Sequence, residues 1–308
     1  MRYLDFPVLP EEEGRRVDSI LFRRGLSTSA VRRAKRRERG LLLDGETIYT
    51  SYPVRAGQVV SILCDDRNPS EIVPNSGPVD IVYEDQDLLV VNKPPHLAVH
   101  PCAGSWDDSL GARLVHYYKT LGLETGFHPV HRLDKGTSGL MAVAKHPAAQ
   151  HALTAALHSD RFRREYLAIC EGAVTPPSGL IDAPLGRTDW SYIRQEVRPD
   201  GKPARTWYET VETGERFSLL RLRLETGRTH QIRVHLAHLG HPLAGDFLYG
   251  TEDPALIDRP ALHSCRLDLV LPFTGKPLSL ETPLPSDMAK ILGKDLTEPQ
   301  SLCYTDHT

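Results

Sequence analysis

A chain of 308 residues, 40% of them hydrophobic, is long enough for one large domain and a small one, each with its own apolar core. Its five cysteines are odd in number, far apart and never spaced C-x-x-C, which argues against a disulfide framework or a thiolate zinc cage and fits a reducing compartment. The net charge of −3 hides an asymmetry: between Gly14 and Cys64 eleven Arg/Lys face four Asp/Glu, a balance of +7 that leaves −10 for the rest and suggests a polyanion-binding module appended to another domain.

Residues 1–20, MRYLDFPVLPEEEGRRVDSI, carry acids and prolines where a signal peptide would need an apolar core, and no segment approaches the length of a membrane span. A soluble, cytoplasmic protein without a membrane partner is expected. The sequence leaves the oligomeric state open, with a monomer as the working expectation.

The first module, residues 1–64, reads as two short helices and a small sheet. RRVDSILFRR puts Val17, Ile20 and Leu21 on one helical face, and LSTSAVRRAKRRERG offers Ser/Thr caps before a helix predicted to stop at Gly40. GLLLDGETIYTSYPVRAGQVVSIL then predicts an Asp44-Gly45 hairpin turn between short strands and a last strand from about Gln58 to Leu63. Six of the eight residues from Arg32 to Arg39 are cations: Arg32, Arg33, Lys35, Arg36, Arg37 and Arg39. Such a run usually marks a solvated helix face. In a module this basic, however, repulsion of like charges at i and i+4 is better tolerated if phosphates neutralise them, so these six are expected to bind RNA. The two helices followed by G-LLLDGE and VRAGQVVSI resemble the small RNA-binding module named after ribosomal small-subunit protein four.

Residues 65–78 have no period and read as a linker. Residues 79–288 form the second domain. VDIVYEDQDLLVVNKP predicts two strands around an acidic turn, and helices are expected near Ser109 to Thr120 and Ala148 to Leu157, the latter with Pro147 in its first turn. FSLLRLRLE alternates Leu220, Leu222 and Leu224 with Arg221 and Arg223, a strand with one buried and one cationic face. The pattern favours an α+β fold on a mixed, mostly antiparallel sheet. Residues 289–308 read as a loosely held C-terminal tail.

Within this domain HRLDKGTSG, His131 to Gly139, packs His, Arg and Asp ahead of a tight turn. GTSGL lacks the second glycine of a nucleophile elbow, and the chain contains neither a phosphate loop nor a dinucleotide fingerprint, so no nucleotide cofactor is implied. Fourteen histidines include no H-E-x-x-H, and the groups His128/His131 and His235/His238/His241 lack a carboxylate or cysteine at ligand spacing; hydrogen-bonding histidines, and no metal, are expected. What remains is Asp134, a carboxylate that could act as nucleophile or base if kept ionised. A guanidinium within about 4 to 6 Å lowers a carboxyl pKa by roughly 1 to 3. Arg132 is one candidate partner. The other is Arg233 in ETGRTHQIRVH, where a Gly227 turn and a Thr229 cap predict a helix ending at Gly240.

HRLDKGTSGLMAVAK and TGRTHQIRVHLAHLGHPLAGDFLYG resemble the signature motifs of the RluA-type pseudouridine synthases. The likeness continues through VYEDQDLLVVNKP, RREYLAICEG, GKPARTWYE and ALHSCRLDLVLPFTG, over roughly residues 79–285. It implies a catalytic domain with a central cleft, and cofactor-free isomerisation of uridine in RNA. It also implies Asp134 as the catalytic aspartate, Tyr166 as the active-site tyrosine, Arg233 as the arginine paired with the aspartate, and Arg132 as the residue that fills the gap left by a flipped uridine. Isomerisation must break the N1–C1′ bond, turn the uracil and rejoin it through C5, which a carboxylate can start by attacking the sugar or removing a sugar proton. A tyrosine can stack on the cut base, and a uridine in folded RNA must first leave its stack at a cost of a few kcal/mol. Gly136 and Gly139 would let the loop bend close to the backbone. Two departures stand out: KPPH has His96 where many members have glycine, and the lysine common two residues before the tyrosine is Arg164.

The sequence thus predicts an RNA pseudouridine synthase acting on structured RNA, with large-subunit ribosomal RNA the first expectation and transfer RNA the second. The competing reading is an RNA-binding or ribosome-assembly factor that keeps the fold without catalysis. A carboxylate-dependent glycosidase acting on free nucleosides is a third, disfavoured by the basic module.

Overall fold

The computed structural model describes residues 2–64, 70–123, 125–157 and 159–293. The first segment holds β1 (Tyr3–Pro7), α1 (Val17–Arg23), α2 (Thr28–Lys35), β2 (Leu41–Leu43), β3 (Glu46–Thr47) and β4 (Val59–Leu63), with the sheet ordered β1-β4-β2-β3. Val17, Ile20 and Leu21 are buried as their helical spacing predicts, and Ser27 caps α2 by accepting from the Ala30 N–H at 3.2 Å. Asp44 (φ 50°) and Gly45 (φ 88°) turn β2 into β3 with the two positive φ values of a type I′ hairpin. Strand β1, which the sequence reading missed, pairs with β4 over five residues.

The basic run is not one helix to Gly40. Helix α2 ends at Lys35, and a side chain at Gly40 would stand 1.9 Å from the Ala34 carbonyl oxygen, so the chain folds back over the helix end there. Arg36 to Arg39 therefore sit in a turn. Arg32, Arg33, Lys35, Arg36 and Arg39 are exposed and Arg37 is half-buried.

The second part carries β5 (Ile81–Glu84), β6 (Leu88–Lys93), α3 (Leu110–Thr120), β7 (His128–Pro129), β8 (Ser138–Ala144), α4 (Pro147–Ala156), β9 (Phe162–Glu171) and β10 (Ser178–Asp182). It continues with β11 (Leu185–Arg187), β12 (Gln195–Val197), β13 (Arg205–Thr213), β14 (Phe217–Leu224), α5 (Gln231–His238), β15 (Leu262–Val270), β16 (Pro277–Glu281) and α6 (Ser286–Ile291). The main sheet runs β10-β13-β14-β9-β15-β8-β6-β5, with β7 and β16 attached, so the fold is α+β. Among the strand pairings of the described residues, only β8 with β15 is parallel. Gly139, at φ 106°, makes that pairing possible, because a Cβ there would lie 2.2 Å from the Ser264 carbonyl oxygen. Gly136 has an ordinary φ, lies against Pro260 and Arg259, and accepts from the Arg259 guanidinium on its carbonyl at 3.3 Å.

The first residues of the expected tail lie in α6. Met288 and Ala289 in α6 are buried, and Met288 packs with Ile169, Phe217 and Ile257; residues 294–308, with Cys303, lie outside the described residues. Cys102, Cys170 and Cys265 are free thiols. Among the described residues no helix is long and apolar enough to cross a membrane.

Candidate active site

The loop from Val130 to Thr137 connects β7 to β8 and alternates its side chains. His131 and Leu133 are buried, while Arg132 is exposed and the Asp134 side chain is 30% exposed. Arg132 and Asp134 thus share the open face, as an extended segment dictates. A turn closed by the Thr137 N–H donating to the Asp134 carbonyl at 3.0 Å fixes the aspartate's backbone. Asp134 lines a cavity of about 610 Å³ together with Arg132, Arg164, Tyr166, His230 and Arg233.

Helix α5 supplies Arg233. Its guanidinium binds Asp246, not Asp134, in the bidentate manner: Nε to Oδ2 and Nη2 to Oδ1, both 2.7 Å. Asp246 is fully buried and also accepts from the N–H groups of Leu248 and Tyr249. The remaining nitrogen, Nη1, faces Asp134 Oδ2 at 3.6 Å. The sequence reading assigned Arg233 to Asp134 alone; the arginine is shared, with its strong bonds on the buried carboxylate. Burial opposes the arginine's charge, but the bonds and field of Asp246 and the field of Asp134 outweigh it and raise its pKa. The rings of Tyr249 and Phe247 lie 5.0 and 5.7 Å from its carbon, adding cation–π contacts.

Thr229 does not cap α5. His230 takes that position at φ 56°, and the Gln231 side chain accepts from the Arg228 N–H at 2.9 Å. That left-handed turn points His230 Nε2 at Asp134 Oδ2, 3.9 Å away, with Nδ1 2.8 Å from the Tyr249 hydroxyl. Burial lowers the His230 pKa against the opposing pull of Asp134.

Tyr166 stands on β9 with its ring buried in the cavity lining, and burial raises its hydroxyl pKa, so it stays protonated. Lys93, at the end of β6, is fully buried. Its ammonium donates to the carbonyls of Pro94, Leu97 and Lys135 at 2.8, 2.9 and 3.2 Å, tying the loop after β6 to the Asp134 turn. Burial lowers its pKa to about 7 against the attraction of Asp134. In that loop His96 adopts φ 63°, the left-handed conformation glycine takes most readily, and its Nε2 lies 3.2 Å from Asp258. The backbone thus keeps a glycine-like shape despite the substitution.

Asp134, Tyr166, Arg233 and Arg132 all meet at this cavity. Sequence reasoning missed Asp246, Lys93 and His230. Asp246 lies inside LAGDFLYG, thirteen residues after Arg233 in the same motif, and that placement was the signal available. His235, by contrast, is held by Thr206 and the Ala183 carbonyl at 2.8 and 2.9 Å.

Two buried histidines make stability depend on pH. Burial holds His131 and His263 at about 3, with the nearby charges of Arg164 and Arg259 pushing the same way. An unfolded histidine titrates near 6.5, so below that pH the unfolded chain takes up protons the native state refuses. Stability is therefore lost as pH falls from about 6.5 toward 3, by up to about 1.4 kcal/mol per pH unit for each histidine. Urea midpoints measured from pH 6.5 to 5 should fall steadily, and His263→Gln should reduce that slope.

Residues 87–238 match the family described as RNA pseudouridylate synthase, which makes the chain an RNA-modifying isomerase. An RNA pseudouridine synthase of Bacillus subtilis, YjbO, is 38% identical over 253 residues, covering 82% of this chain and 89% of its own. Ribosomal large subunit pseudouridine synthase D of Escherichia coli K12 is 41% identical over 252 residues, 78% of this chain and 77% of its own. The solved structure of human RNA pseudouridylate synthase domain containing 1 superimposes with a TM-score of 0.58 at 28% identity, over 76% of this chain and 91% of that one. The chain belongs to the RluA-type family of RNA pseudouridine synthases.

Proposed function

We propose that this protein converts uridine to pseudouridine in large-subunit ribosomal RNA in the cytoplasm. The observation that carries this reading is the partly exposed Asp134 carboxylate, set beside Arg233 in a cavity whose lining includes Tyr166 and whose cations suit a polyanion. Residues 1–64, a module like that of ribosomal small-subunit protein four, hold structured RNA through Arg32, Arg33, Lys35, Arg36, Arg37 and Arg39. Arg132, exposed beside the aspartate, takes the place of the extruded uridine. Asp134 opens the N1–C1′ bond, by attack on C1′ or by taking a sugar proton, while Tyr166 holds the freed uracil as it turns. The relative named for the ribosomal large subunit supports the choice of RNA.

Mapping pseudouridines in ribosomal and transfer RNA from cells with and without this protein tests the reading. The expected result is the loss of one or more sites from large-subunit ribosomal RNA; sites lost from transfer RNA alone would replace the substrate, and no change at all would overturn it. The basic module carries a separate expectation. Each cation that neutralises a phosphate contributes about 0.7 to 0.9 to the slope of log affinity against log salt. Replacing Arg32, Arg33 and Arg36 with Gln should therefore flatten that slope by about two to three in filter-binding titrations.

A further inference from the structure

Two buried side chains in the lining of the Asp134 cavity lack the partners their burial demands. His131, 6% exposed, accepts the Ala142 N–H on Nε2 at 3.2 Å, which puts the ring proton on Nδ1, and Nδ1 bonds nothing. Arg164, 4% exposed, leaves both Nε and Nη2 unbonded. Among the described residues no carboxylate forms an ion pair with it, and Glu165 points to the other face of β9. A buried donor without an acceptor destabilises the fold, and a buried cation without a counter-ion does so more strongly. The two residues lie within electrostatic reach of each other. The fold therefore maintains three donor nitrogens and a full positive charge for an anion that the protein itself does not supply.

The reaction supplies one. When N1–C1′ breaks heterolytically, the bonding pair stays with the base, and uracil departs as an anion with its charge shared by N1, O2 and O4. This holds whether Asp134 takes C1′ as an ester or removes a proton from the sugar. C5 then uses an electron pair of the base to bond C1′. Asp134 is released as a carboxylate, or the sugar proton is returned. The C5 proton leaves, N1 takes one up, and atoms and charge balance.

Arg164 stands two residues before Tyr166 on the same face of β9, about 6.6 Å along the strand. Tyr166 feels the charges of both Arg164 and Asp134. A base lying on Tyr166 with its sugar at Asp134 would share the cavity with Arg164. The phosphates of the strand meet exposed cations first, Arg132 and Lys135, whereas a group as deep as Arg164 is reached by the base.

We propose that Arg164, with the His131 Nδ1–H beside it, stabilises the negative charge of the detached uracil. This rests on the role given to Asp134 above. Removing one preorganised donor to a developing anion lowers kcat about 10²- to 10³-fold. Arg164→Met is therefore expected to lose that much kcat on ribosomal RNA with KM changed less than about threefold. Its urea midpoint should be equal or higher, because an uncompensated buried charge is gone. Arg164→Lys should recover kcat to within about tenfold of the parent. A binding measurement avoids dependence on how the variants fold: on the unaltered full chain, barbiturate, a planar uracil analogue that is anionic at pH 7.5, should bind at least about tenfold more tightly than uracil. Equal binding of the two overturns the proposal, as does Arg164→Met with unchanged kcat, with a raised KM alone, or with stability lost in step with activity. If Asp134→Asn is inactive and Arg164→Met is not, this inference fails by itself; if Asp134→Asn is fully active, the reading of Asp134 fails and takes this one with it.

Discussion

Asp246→Ala is expected to destabilise the fold by about 3 to 5 kcal/mol and to abolish most activity. The substitution leaves Arg233, whose side chain is 5% exposed, with two buried N–H donors and no buried counter-ion. Removing one member of a buried pair typically costs that amount. The freed guanidinium can then rotate its two-nitrogen edge onto Asp134, only 3.6 Å from Nη1 now, and occupy the oxygens the substrate needs. Urea denaturation beside a turnover assay separates the two effects. Replacing both partners, Arg233→Met with Asp246→Leu, should regain much of the lost stability without regaining activity, because apolar residues of similar size satisfy a buried site as well as an ion pair does. An Asp246→Ala variant within about 1 kcal/mol of the parent would show that the pair does not organise the cleft.

Much of this arrangement was legible in the sequence, for identifiable reasons. Apolar spacing at Val17, Ile20 and Leu21 and the caps Ser27 and Ser109 are local signals, and the elements they mark lie where local signals place them. Motif order brought Asp134, Tyr166 and Arg233 together although they lie on a loop, a strand and a helix. The misses come from long-range contacts. Helix α2 stops at Lys35 because the backbone at Gly40 must press on Ala34, and nothing in a run of cations announces that. Thr229 looked like a cap, but Gln231 satisfies the Arg228 N–H from inside the helix. Lys93 carried no signal of its role, because the three carbonyls that hold it come from two loops that meet only in the fold. Asp246 sits in the same motif as Arg233, but its importance appears only when Arg233 is seen to have one guanidinium for two carboxylates.

That division of labour leads to the second large effect. Asp246 holds the arginine, so Asp134, 30% exposed and without a short bond to it, is free for substrate. Asp134→Asn keeps the shape and leaves the Arg233–Asp246 pair intact. Stability should therefore stay within about 1 kcal/mol of the parent and RNA binding should be largely retained. The amide is far too weak a nucleophile or base to open the N1–C1′ bond, so kcat should fall by at least about 10⁴-fold. Forming pseudouridine replaces the C5–H bond with C5–C1′, so an RNA labelled with tritium at C5 of uridine releases the label only when the isomerisation runs to completion. The direct measurement is tritium released from such ribosomal RNA by excess protein: the parent chain should release a stoichiometric amount and Asp134→Asn none above background. Release by Asp134→Asn at the parent's rate, from a variant that folds and binds equally well, would contradict the account.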